Sequence, residues 1–296
     1  MTAPTSSTSA PRLATRFAPS PNGHLHLGHA FSALTAWDWA RANAARFVVR
    51  VEDTDTTRSR REFEASHLQD LAWLGLRWDA PVRRQSDMVA DYRRGLDRLS
   101  ALGLIYPCFC TRKDIAEAAL APHGPDGVPY PGTCRRLSAD MRTTQLEAGT
   151  PHALRLDVAR ALDIAERLRG NRLSFLEQGL GPNGETGRLP ADPRPMGDPV
   201  IARKDGVIAY HLAVVMDDAS QHMTHVIRGQ DLFFATPLHR LLQTVLDLPQ
   251  PVYRHHRLIR DATGERLAKR RGSQTLRDMR ANGMTPDDIR QLLGLR

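Results

Sequence analysis

The chain has 296 residues, 41% hydrophobic and 25% charged, a globular balance sufficient for one large domain or two modest ones. No apolar run reaches the roughly 18 residues of a transmembrane helix, and three cysteines are too few for a disulfide scaffold. Lys plus Arg number 41 against 33 Asp plus Glu, a net charge of +8, which favours a polyanionic partner, nucleic acid above all.

Residues 1–12 open on small polar side chains and read as a disordered tail. They lack the apolar core of a secretory signal, so the protein is expected in the cytoplasm. Leu13–Ala18 reads as a strand, and Pro19-Ser20-Pro21-Asn22-Gly23 as the turn that follows. Leu27, Ala30, Leu34 and Trp37 then recur on one face of a helix. A second strand, Arg46–Val51, ends in Glu52-Asp53-Thr54-Asp55, and the next helix buries Phe63, Leu68, Leu71 and Leu74. This order indicates an α/β fold built on a Rossmann-type, doubly wound parallel sheet, with 13–107 as its first half. Periodicity weakens in 108–193, where Pro/Gly-rich loops surround the cysteines, and this stretch is expected to be an insertion. Strands are expected again at Pro199–Arg203, Tyr210–Met216 and Thr224–Arg228, so that 194–250 completes the sheet. The final segment, 251–296, carries 11 Lys/Arg against 5 Asp/Glu, with short helices expected at Leu276–Asn282 and Asp287–Leu295.

Three constellations carry chemistry. His26-Leu27-Gly28-His29 lies where a turn hands over to a helix, a place that favours phosphate. Two imidazoles three residues apart can both reach a triphosphate there, and Gly28 permits close backbone approach. Arg266-Leu267-Ala268-Lys269-Arg270 follows a polar loop and contains one of only three lysines. Such a mobile ammonium can follow charge on a transferring phosphoryl group. Cys108, Cys110 and Cys134 lie within 27 residues and suit a tetrahedral zinc site. Coordination chemistry alone nominates His123 as the fourth ligand.

The first two elements, in this order and far apart, resemble the paired signatures of class I aminoacyl-tRNA synthetases. Arg16-Phe17-Ala18-Pro19-Ser20-Pro21-Asn22-Gly23, Arg50-Val51-Glu52-Asp53-Thr54-Asp55, the run Tyr210–Asp218 and Thr224-His225-Val226-Ile227-Arg228-Gly229 resemble the glutamyl-tRNA synthetase catalytic domain. The likeness runs from about residue 14 to about 275. It departs where the usual Lys-Met/Leu-Ser-Lys becomes Arg266-Leu267-Ala268-Lys269, which keeps the second lysine and loses the serine.

The resemblance implies that L-glutamate is bound by Arg16, Phe17, Ala18, Pro19, Ser20, Glu52, Tyr210 and Arg228. This suits a dicarboxylate amino acid, with Arg16 and Arg228 for its carboxylates, Glu52 for its ammonium and Tyr210 as a wall. It likewise implies that Mg²⁺-ATP is bound by His26, Gly28, His29 and Arg266 to Arg270, with His26, His29 and Lys269 as catalytic charge stabilisers. A subgroup with the Cys-x-Cys…Tyr-x3-Cys arrangement uses its tyrosine on zinc. Tyr130 is therefore expected to join the cysteines around one structural zinc ion per chain, in an insert lying near the acceptor end of the RNA.

The chain stops 27 residues beyond Lys269, so no anticodon-binding domain is expected. With the cysteine–tyrosine cluster, this resembles a stand-alone branch of the family. The resemblance implies a monomer that activates glutamate without RNA and passes it to the cyclopentene-diol of queuosine in the anticodon of tRNA(Asp). The alternatives are an enzyme charging tRNA(Glu) and an inactive zinc-stabilised RNA-binding module.

Overall fold

The computed structural model describes residues 12–111, 113–115, 130–259 and 274–295. Strand β1 (Ala14–Phe17) is followed by helix α1 (Leu27–Ala42), strand β2 (Arg46–Val51), helix α2 (Arg61–Trp73), the two-residue strand β3 (Arg83–Arg84) and helix α3 (Val89–Ala101). β2 pairs in parallel with both β1 and β3. Its sequence RFVVRV is buried from Phe47 onward, as expected of a parallel strand covered on both faces. Helix α1 seals one face with Ala30, Phe31, Ala33, Leu34, Ala36 and Ala40.

Strand β4 (Ile105–Cys108), helix α4 (Ala139–Glu147), strand β5 (Ala153–Leu156) and helix α5 (Val158–Arg169) come next, then strands β6 (Ser174–Glu177), β7 (Gly187–Pro190) and β8 (Val200–Ala202). The chain continues through helix α6 (Tyr210–Ser220), strand β9 (His225–Gly229), helix α7 (Thr236–Val245), strand β10 (Val252–His256) and helices α8 (Leu276–Ala281) and α9 (Pro286–Leu293). β10 runs parallel to β6 and β9 in the order β7-β6-β10-β9, while β4, β5 and β8 form a separate antiparallel sheet.

The β1-β2-β3 sheet and the mixed sheet, in which β7 is antiparallel to β6, adjoin along β1 and β9. The Ala14 amide donates to Thr224 Oγ1 at 2.9 Å, and the Thr224 amide donates to the Ala14 carbonyl at 3.1 Å. Strand order therefore reverses between β1 and β9, which opens a crevice beyond their carboxyl ends. One apolar core joins α3, α5, α6 and α7 with β6 and β10. A second joins β1, β2, α1 and α2 with α8 and α9. The C-terminal helices are tied on by Arg290–Asp38 and Arg280–Asp70 ion pairs of 2.7 and 3.4 Å.

Two expectations change. Tyr210–Met216 is the first part of α6, not a strand. Leu212, Ala213, Val214 and Val215, four consecutive residues that circle the helix, are all buried, as are Asp217 and Asp218, so its sequence presents no alternation of apolar and polar faces to reveal a helical period. Pro199–Arg203 does contain β8, but that strand joins the antiparallel sheet. Sheet membership also does not divide at residues 108 and 193, because β6 pairs with β10 and β8 pairs with β5.

Candidate active site

The crevice forms a cleft of about 670 Å³. Arg16 to Ser20 leave the end of β1, Glu52 the end of β2, Arg228 and Gly229 the end of β9, and His256 and Arg257 the end of β10. Tyr210 enters from the first turn of α6, and His26, Gly28 and His29 from the start of α1. Residues expected to bind amino acid and nucleotide thus line one cavity, although 212 sequence positions separate the outermost of them, Arg16 and Arg228.

Two guanidinia stand in different electrostatic settings. Arg16 Nε donates to Asp218 Oδ1 at 3.0 Å, and Nη2 reaches Oδ2 at 3.4 Å. Arg50, fully buried, donates to the same Asp218 Oδ1 at 2.8 Å, lies 3.5 Å from Asp217 and reaches Glu52 at 3.3 Å. Burial opposes charge on Asp218, but the two guanidinia outweigh it and hold the carboxyl below its usual range. Glu52 is raised, because burial outweighs Arg50 and Arg16. Its Oε1 takes the Arg50 bond, and no other side-chain hydrogen bond to Glu52 occurs among the described residues.

Arg228 is different. Its Nε donates to His255 Nε2 at 3.0 Å, Nη1 to His239 Nδ1 at 3.1 Å, and Nη2 to the Leu232 carbonyl and Thr236 Oγ1 at 3.0 and 2.8 Å. Among the described residues no carboxylate pairs with it, and it is only 4% exposed. A buried guanidinium without a counter-ion is an anion site. Tyr210 closes the wall, its hydroxyl pushed up to about 12 chiefly by burial, so it stays a neutral donor.

At the helix start, His26 is the N-cap. Its Nδ1 accepts from the Gly28 amide at 3.1 Å, while its own amide donates to His29 Nδ1 at 3.2 Å. A β-carbon at Gly28 would meet the His26 ring at 3.0 Å, so glycine here spares the imidazole as well as admitting a ligand. Beyond this, the Leu276 amide donates to the Leu25 carbonyl at 2.8 Å, and His26 bridges Thr275. The chain after residue 273 is thereby anchored beside the imidazoles. Arg266, Leu267, Ala268, Lys269 and Arg270 lie outside the described residues, as does His123.

Away from the cleft, Cys108, Cys110 and Cys134 bring their sulfurs within 4.8 Å of one another. The Cys110 and Cys134 sulfurs are 3.4 Å apart. The Tyr130 hydroxyl lies 3.6 Å from Cys110 Sγ and accepts from the Cys134 amide at 2.8 Å. Metal–sulfur bonds of about 2.3 Å in a tetrahedron require sulfurs just under 4 Å apart, so this donor set fits a thiophilic cation. Burial pushes the Cys110 thiol up to about 11, so binding there displaces a proton.

Sequence reasoning did not single out Asp218, Arg50, His239, His255 or Thr236. The Asp217-Asp218 pair inside an apolar run was a readable sign of buried carboxylates seeking cations. The histidines gave no such sign among 12. No described helix is long and apolar enough to cross a membrane.

Residues 12–296 match the family described as tRNA synthetases class I (E and Q), catalytic domain. The chain is 48% identical over 287 residues to a glutamyl-Q tRNA(Asp) synthetase of Rhodobacter capsulatus, spanning 95% of this chain and 99% of the relative. It is 43% identical to one of Nocardia farcinica, over 94% of this chain and 82% of the relative. Among solved structures, a glutamate tRNA ligase from Elizabethkingia meningosepticum in complex with its amino acid superimposes with a TM-score of 0.70. That likeness is at 27% identity and covers 92% of this chain and 53% of that one.

Proposed function

The chain belongs to the family of class I glutamyl and glutaminyl tRNA synthetases, and we propose that it activates L-glutamate with ATP and transfers it to queuosine in the anticodon of tRNA(Asp). The observation that carries the first half is the meeting of Arg16, Glu52 and Arg228 in one cleft beside the His26/His29 helix start. Two cations and an anion match a dicarboxylate with an ammonium group, and the helix start matches polyphosphate. The acceptor follows from the relatives named glutamyl-Q tRNA(Asp) synthetase, which this chain matches along nearly its whole length.

In the first step the α-carboxylate of glutamate attacks the α-phosphorus of ATP, and the bond to the β-phosphate oxygen breaks to release pyrophosphate. The nucleophile is already ionised, so positioning and charge stabilisation supply the catalysis. Arg16 to Ser20, Glu52, Tyr210 and Arg228 hold the amino acid. His26, Gly28, His29 and the Arg266–Arg270 segment hold the nucleotide, with His26, His29 and Lys269 stabilising charge on the phosphates. Mg²⁺ carried with ATP offsets the polyphosphate charge. In the second step a hydroxyl of the queuosine cyclopentene-diol attacks the acyl carbon, AMP leaves, and the hydroxyl proton passes to solvent.

Cys108, Cys110, Tyr130 and Cys134 hold one zinc ion in a structural role, since four protein ligands leave no position for water. The ion would tie the end of β4 to the 130–134 segment in the proposed 108–193 insertion, where Tyr106, Cys108, Tyr130 and Cys134 form a small cluster separate from the two large apolar cores.

Glutamate-dependent ATP–pyrophosphate exchange without RNA tests the first half, and no exchange would overturn it. Charging assays with queuosine-bearing tRNA(Asp), queuosine-free tRNA(Asp) and tRNA(Glu) test the second. Glutamate is expected only on the first, and charging of the tRNA(Glu) 3′ end instead would replace the proposed acceptor.

A further inference from the structure

Arg228 draws its hydrogen bonds from a particular kind of partner. A guanidinium has five N–H donors, and four of those of Arg228 go to His255, His239, Leu232 and Thr236. One Nη1 hydrogen is left. An arginine can only donate, so both imidazoles must present a lone pair to it.

Each imidazole is locked in the matching tautomer from behind. His255 accepts at Nε2, so its proton sits on Nδ1, which donates to Glu177 Oε2 at 2.5 Å. Glu177 is fixed in turn by the His255 and Gly179 amides at 2.8 and 2.7 Å. His239 accepts at Nδ1, so its proton sits on Nε2, which donates to His211 Nδ1 at 3.1 Å. Burial, reinforced by the Arg228 charge, lowers His255 and His211 to about 4 and drives His239 well below its ordinary value. All three therefore stay neutral near pH 7.

We infer that His239, His255 and Thr236 form a charge-neutral cradle that fixes the direction of Arg228 while leaving its positive charge uncancelled for a carboxylate of the amino acid. Arg16 shows the contrast, since Asp218 already occupies its Nε and Nη2. A carboxylate in place of either imidazole would hold Arg228 as firmly but would compete with the substrate. Glu177, which backs His255, is held one imidazole away. His239, His255 and Thr236 are positioning residues, and the inference rests on the glutamate-activating reading above.

The test compares His239→Asn with His239→Asp. The two side chains have one shape, both offer an oxygen near the place of Nδ1, and they differ in charge. In glutamate-dependent exchange, His239→Asn is expected to keep its KM for glutamate within a few-fold of the parent. His239→Asp is expected to raise that KM about tenfold or more beyond the Asn variant, with the KM for ATP unchanged and a Tm at least equal to that of the Asn variant. Equal glutamate KM values for the two would overturn the cradle. Should neither variant fold, Thr236→Val is expected to raise the glutamate KM several-fold at unchanged kcat, with Thr236→Ser restoring it; no difference between Val and Ser would overturn the inference. Exchange by the parent protein separates the two claims: absent exchange refutes glutamate activation itself, whereas normal exchange with matched variants refutes only the cradle.

Discussion

Replacing Glu52 by Gln separates a substrate-binding carboxylate from a structural ion pair. Glu52 is one of three carboxylates around Arg50, and the other two, Asp218 at 2.8 Å and Asp217 at 3.5 Å, remain after the change. Arg50 thus loses its partner at 3.3 Å and stays paired. Burial raises Glu52 above its ordinary value despite Arg50 and Arg16, so its charge costs the folded protein free energy, and removing that charge relieves the cost. Stability is expected to hold or rise, with Tm no lower than the parent by more than about 2 °C. The substrate ammonium, by contrast, loses its anion in a buried cleft. Leaving such a charge unpaired costs about 3–5 kcal/mol, or roughly two to three and a half orders of magnitude in kcat/KM for glutamate. The KM for ATP should barely move. Pyrophosphate exchange across glutamate and ATP titrations, alongside thermal melts, gives both readouts. A variant that melts far below the parent yet keeps the parent kcat/KM would make Glu52 a structural partner of Arg50 and refute the reasoning.

Asp218→Asn should behave oppositely, because this one carboxylate holds both Arg16 and Arg50. Breaking that buried cluster is expected to cost about 3–5 kcal/mol, seen as a Tm loss of roughly 10 °C together with loss of exchange; an unchanged melt would contradict the geometry. Cys134→Ser should lower bound zinc, measured by elemental analysis, and Tm, while the exchange rate per folded molecule changes little; full zinc content would rule out this cluster as the site. Stability should also fall on acidification. His211 and His255 titrate near 4 in the fold against an ordinary 6.5, so between those values the unfolded chain binds protons that the folded one does not. Their contribution is complete above pH 6.5 and is lost as pH falls toward 4, by on the order of 3 kcal/mol for each imidazole. Urea midpoints at pH 7.5, 5.5 and 4.5 measure this, and His211→Gln should flatten the slope; a flat parent profile would show that these imidazoles are not held neutral.

The sequence by itself determined what local spacing can carry. His26 and His29, three residues apart at a turn, were bound to share a helix start, and the cap bonds at 3.1 and 3.2 Å follow from that spacing. The face of α1 was readable because its apolar residues repeat with the helical period, and β2 because it is a short Val-bearing run ended by an acidic cluster. The residue types needed for a dicarboxylate, namely Arg16, Glu52 and Arg228, could also be named. Only the tertiary structure decided their electrostatic states. Arg16 meets Asp218 across 202 positions of sequence, and Arg228 meets two imidazoles instead of an acid. Coulombic and desolvation energies depend on distance and burial, and neither is a property of sequence separation. The same limit hid α6, whose burial on every side erased its period, and the antiparallel pairing of β8, which is set by a partner strand more than 40 positions away.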